Sequence, residues 1–160
     1  MKNTHESVPM VDVQLSQIVI RDASEQQFIL LREVNGDRAF PIVIGTAEAC
    51  EIRRVVHGVK LERPLTHELT FEAIRSLGAE LERVDIVDLR NNTFFAQLVL
   101  KRGEAEERTT VDARPSDALA LALRARCRVR VAEHVIEFAR TDKAGPDPLP
   151  PAAPETPAEE

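Results

Sequence analysis

Residues 112–123 read DARPSDALALAL, and the fold turns on how this stretch is read. The second half alternates Ala and Leu with period two, which by pattern alone suits a strand. Ala, however, is the best helix former and a poor strand residue. Pro115 fixes its own φ near a helical value and suits a first helical turn. The segment is therefore read as a helix, and a helix apolar all round is a buried one. Ahead of it stand Asp112, Arg114, Ser116 and Asp117. Capping needs one of those side chains, and four are present. The surplus points to a site at the helix mouth.

Working outward, Val11 to Ile20 alternates apolar and polar residues, the mark of a half-buried strand, and Phe28 to Val34 and Ala39 to Ile44 are read as a second and a third strand. Asn35-Gly36 turns the chain between the second and third, and Pro41 assigns the third to an edge. Thr46 is the expected N-cap of a helix whose inner face carries Ala49, Ile52, Val55, Val56 and Val59, with Gly58 at its end. After the link LERPL, Thr66 is the expected cap of a second helix with Leu69, Ala73, Ile74 and Leu77 inward. Leu81 to Leu89 and Phe94 to Leu100 form a hairpin through Asn91-Asn92, and Thr109 to Ala113 a further strand. Val129 to Val131 and Glu133 to Phe138 give a last strand and helix. No internal repeat is visible. Hairpin signals dominate over βαβ alternation. The expectation is one α+β domain over residues 1–140, with a mainly antiparallel mixed sheet and three to four helices.

Residues 141–160 hold six of the ten prolines in a run of Pro, Ala and Glu, and are expected to be a disordered tail. That tail carries a net charge of −4 out of −6, so the body is nearly balanced and is no bulk-basic phosphate binder. Tyr and Trp are missing, which weakens a reading as a base-stacking single-strand binder. The cysteines, Cys50 and Cys127, lack zinc-site spacing and read as reduced core thiols of a cytoplasmic protein. The N-terminus has no apolar leader segment, and no apolar run approaches a membrane span. No GxxxxGK, GxGxxG, GxSxG or HExxH motif occurs.

Four clusters could carry chemistry. Glu48 and Glu51 lie one helical turn apart, where they could hold a hard divalent cation or simply favour the helix dipole. Arg63, Thr66, His67 and Glu68 gather at a helix start, and His67 could serve as general acid or base. Asp112, Arg114, Ser116 and Asp117 form the third. Arg114 offers a planar fork for phosphate, and Asp117 is either a cap or a metal-holding group. In RARCRVR, residues 124–130, Arg126, Arg128 and Arg130 would share one face of an extended segment, most simply a solvated edge strand.

Together, PIVIGTAEACEI (41–52), RPLTHEL (63–69), LGAELERVDI (77–86), NTFFAQLVL (92–100) and DARPSDALALAL resemble the bifunctional nuclease domain family over residues 10 to 138. Glu68 stands where that family often has Asp. An added C-terminal repair-associated segment found in some relatives is replaced here by the Pro/Ala/Glu tail. The resemblance implies an α+β fold, a homo-oligomer, and nuclease activity on DNA and RNA. On this reading Glu48, His67, Asp112, Arg114 and Asp117 are the expected catalytic residues. Arg63, Thr66 and Ser116 are expected to bind substrate, and Glu48, Asp112 and Asp117 to hold Mg²⁺ or Mn²⁺. The rival expectation is a non-catalytic assembly module in which the same residues pair with one another.

Overall fold

The computed structural model describes residues 8–21, 26–103 and 107–141, so the expected tail lies outside the described residues beyond Thr141. Seven strands and four helices follow one another as β1 (Met10–Val19), β2 (Gln26–Glu33), β3 (Ala39–Gly45), α1 (Thr46–Val56), α2 (Thr66–Ser76), β4 (Ala79–Arg90), β5 (Thr93–Arg102), β6 (Arg108–Ala113), α3 (Pro115–Ala125), β7 (Arg128–Ala132) and α4 (Glu133–Thr141). The strands form one sheet in the order β3-β2-β1-β7-β4-β5-β6. All neighbours pair antiparallel except β4 and β7. This is the α+β, mainly antiparallel domain that the strand pattern implied, and DARPSDALALAL does run from a strand into a buried helix.

The strand alternation sorts side chains onto two faces. Val13, Val129, Val84 and Leu98 lie in one cross-strand row, Val11, Val131, Ile86 and Ala96 in the next. These join Ile29, Leu31, Phe40 and Ile42 in a single core, closed by Ala118 to Ala122 of α3 and by Val135 and Ile136 of α4. The sheet curls enough that Phe40 of β3 stacks on Phe94 of β5 at 6.0 Å. The opposite face is polar. Asp12, Arg130, Asp85, Gln97 and Asp112 stand in one row across five strands.

Four expectations are corrected. RARCRVR is not an edge strand: β7 lies between β1 and β4, near the centre. Its charges are neutralised there, Arg130 by a two-point pair with Asp85 at 2.8 and 2.9 Å, and Arg128 by Asp12 at 2.6 Å. Arg126 does not extend with them but ends α3 in the left-handed region at φ 53°. Neither Thr46 nor Thr66 is a cap: each is the first helical residue, behind Gly45 and Leu65, and no side chain caps either helix. The Thr46 hydroxyl instead accepts from Gln27 Nε2 at 3.2 Å. On α2, most of the face expected inward is outward: Leu69 is 58% exposed and Leu77 69%, Ile74 is half-buried, and no α2 residue is fully buried.

The fourth correction concerns repetition. The element order contains the unit strand-strand-strand-helix twice, as β1-β2-β3-α1 and as β4-β5-β6-α3, with β7 between the two three-stranded halves. In each unit the helix starts within two residues of the third strand. Each helix has an acid as its third residue and a fully buried Ala after it, Glu48-Ala49 and Asp117-Ala118. Small residues at these positions let α1 and α3 pack closely.

Candidate active site at the converging helix starts

The doubled architecture brings the first turns of α1 and α3 together, and α2 packs against α3 beside them. Four of the predicted residues meet there. Arg114, the residue before α3, forks onto Asp117 through Nε at 2.7 Å and Nη2 at 3.1 Å. The same Nη2 reaches Glu48 Oε1 at 2.8 Å. His67 Nε2, from the first turn of α2, lies 2.7 Å from Asp117 Oδ1. Glu48, His67 and Asp117 are partly buried, whereas Arg114 is 66% exposed and presents its cation to solvent.

Burial pushes the Asp117 carboxyl upward, but hydrogen bonds from Arg114 and His67 and the Arg114 charge outweigh it, so the group is held below the usual carboxylate range. Arg114 is held even more firmly charged, chiefly by Asp117 and then by Glu48. The three helix starts add partial positive charge to the same spot, which favours anions there.

The remaining predicted residues lie elsewhere. Asp112 is opposite Gln97 on the polar face, because Ala113 takes the core-facing position opposite Ala96. Arg63 and Thr66 are exposed, and Arg63 forms no ion pair with the described residues. Glu51 parts from Glu48: it is buried and pairs with Arg54 at 2.6 Å and with Arg124. Ser116 is buried at the second position of α3. It borders a groove of about 730 Å³ that runs between residues 41–45 of β3, residues 92–94 after the β4–β5 turn, and residues 114–116. No sequence signal marked that groove, since its walls come from separate strands.

The expected three-acid metal set is therefore not assembled. Asp112 is on the other side of the sheet, and Arg114 already stands between Glu48 and Asp117. Among the described residues no three of His, Cys, Asp or Glu gather as a metal-binding group. Cys50 and Cys127 are half-buried free thiols, and burial pushes Cys127 up to about 11. Among the described residues no helix is long and apolar enough to cross a membrane.

Residues 29–144 match the Bifunctional nuclease domain family. An uncharacterized protein of Mycobacterium tuberculosis (strain ATCC 25618 / H37Rv) is 42% identical over 127 residues, covering 79% of this chain and 74% of that protein. Bifunctional nuclease 2 of Oryza sativa subsp. japonica is 30% identical over 117 residues, 72% of this chain and 35% of the plant protein. Bifunctional nuclease 1 of Arabidopsis thaliana is 25% identical over 114 residues, again 35% of its length. The chain belongs to the bifunctional nuclease domain family.

Proposed function

We propose that the protein hydrolyses phosphodiester bonds of nucleic acid, DNA or RNA, at the cluster of His67, Asp117, Arg114 and Glu48. The observation that carries this reading is the His67–Asp117 contact beside an exposed, doubly anchored arginine. Asp117 accepts the Nε2 proton bond of His67, which leaves Nδ1 to take a proton from water as its oxygen bonds to phosphorus. The ester P–O bond then breaks, and the proton on Nδ1 is available to the leaving oxygen. Arg114, fixed by two carboxylates, offers its outward N–H groups to the non-bridging oxygens. Exposed Arg63, Arg53 and Lys60 lie in or beside the α1–α2 link and would attract the phosphate chain. No step runs through a metal, because Mg²⁺ or Mn²⁺ at Glu48 and Asp117 would have to displace Arg114. The plant relatives named as nucleases support the activity, although this chain matches about a third of their length. Two free thiols suit a reducing, cytoplasmic setting.

The test is hydrolysis of end-labelled DNA and RNA by the purified chain, with Mg²⁺, with Mn²⁺ and with chelator. His67→Ala and Asp117→Asn are expected to lower kcat by roughly 10²–10⁴-fold. Unchanged rates in both variants would remove this assignment. One observation favours a second reading: every charge in the cluster already has a partner within it. A purely structural clasp would show no hydrolysis in any metal condition, while Arg114→Ala would still lower Tm.

A further inference from the structure

We infer that the groove beside Arg114 is a subsite for one nucleobase of the bound strand, with the adjoining phosphate on Arg114. This rests on the hydrolase reading above and adds to it where the base goes. A groove of about 730 Å³ falls in the range of sites that enclose small organic ligands. Its lining includes two aromatic rings, Phe28 and Phe94, in a chain with only six. Phe94 is backed by Phe40 of the core, which holds its ring in place, whereas Phe28 pairs with Val43 on the other face of the sheet, so Phe94 is the ring on the core side of the groove. Aromatic faces take bases of any identity by stacking.

Polar groups suited to a base edge are present as well. Asn92 and Thr93 follow the β4–β5 turn, where Asn92 adopts φ 58° and carries its amide into an exposed position. Ser116 is 6% exposed, borders the groove, and its hydroxyl has no hydrogen-bond partner among the described residues. Arg114 belongs to both places: it borders the groove and anchors the acid cluster. One guanidinium thus joins an apolar, ring-lined slot to the proposed hydrolytic group, the layout of a base next to its own phosphate.

The experiment is an amide NMR titration of the full chain with uridine and adenosine 5′-monophosphates, and with ribose 5-phosphate as the probe lacking a base. The nucleotides should shift Asn92, Thr93, Phe94 and Ser116 and bind about tenfold tighter than ribose 5-phosphate. Phe94→Leu, which keeps apolar bulk without the ring, should erase that preference. Arg114→Ala should weaken all three probes. Equal binding of nucleotides and ribose 5-phosphate, or shifts confined to other surfaces, would overturn the subsite even if the chain hydrolyses nucleic acid. Groove shifts without any hydrolysis would instead overturn the hydrolase reading and leave the base site standing.

Discussion

Asp117 joins the elements of the site, since it alone contacts both the histidine and the arginine. Its depressed titration has a consequence for stability. A carboxylate whose folded value lies below its unfolded value near 3.9 contributes stability that is fully present above that pH, and loses it as pH falls through the folded value. The Tm margin of wild type over Asp117→Asn should therefore shrink as the pH falls below about 4. Melting curves by circular dichroism across that range would measure it, and a margin independent of pH would refute the pairing. At this scale the sequence was informative for four residues and not for the fifth. Glu48, His67, Arg114 and Asp117 each stand at a helix start, where a polar side chain has a defined direction. Asp112 stands two residues before Arg114, on a strand, and strand parity turns it to the other face. Alternation of Val111, Asp112 and Ala113 holds that information, but only once Ala113 is known to face the core.

Among the elements, α3 tells most about how charge is buried. Its Arg124 reaches Glu51 of α1, which is 3% exposed and also held by Arg54. Removing one partner of a buried pair strands a charge, whereas replacing both with apolar groups relieves the desolvation of each. Arg124→Leu should lower the urea-unfolding free energy by about 3 kcal/mol, and Arg124→Leu with Glu51→Leu should recover most of it. A double variant as unstable as the single one would disprove this account. The end of α3 is also strained. Arg126 occupies the left-handed region, where a residue with a Cβ costs about 1 kcal/mol and glycine does not. Arg126→Gly should therefore raise stability by up to about 1 kcal/mol in the same assay, and a loss would contradict it. Strands were legible from alternation because their neighbours share one core. The placement of β7 was not, since Asp12 and Asp85, which neutralise its arginines, lie 116 and 45 residues away in sequence. The exposed side of α2 was misread for a related reason: spacing shows that a helix has an apolar stripe, not what covers it.

For the whole molecule, the two strand-strand-strand-helix halves explain why the site forms at all. Each half delivers an acid at the same helical position, and the α1–α3 contact brings the two acids to one arginine. The sequence did not reveal this, because the halves share a pattern of elements and a small-acid-Ala signature, but few residues. The same architecture leaves one feature without a described neighbour. Val56, Val59, Leu61, Leu65, Leu69 and Leu77, all between the end of α1 and the end of α2, are each 42–69% exposed. Leu65, Leu69, Ala73 and Leu77 recur every four residues, a continuous stripe along α2. Apolar residues gathered in this way mark association surfaces rather than ordinary solvated helices. A second copy of the chain, meeting the same stripe about a two-fold axis, would cover it. Light scattering behind size exclusion should then give twice 17.9 kDa for the wild type. Leu65→Glu with Leu69→Glu should return it to 17.9 kDa with little change in Tm, because neither side chain is in the core. A wild type that runs as a monomer at tens of micromolar would end this assembly, and so would a double variant whose mass is unchanged.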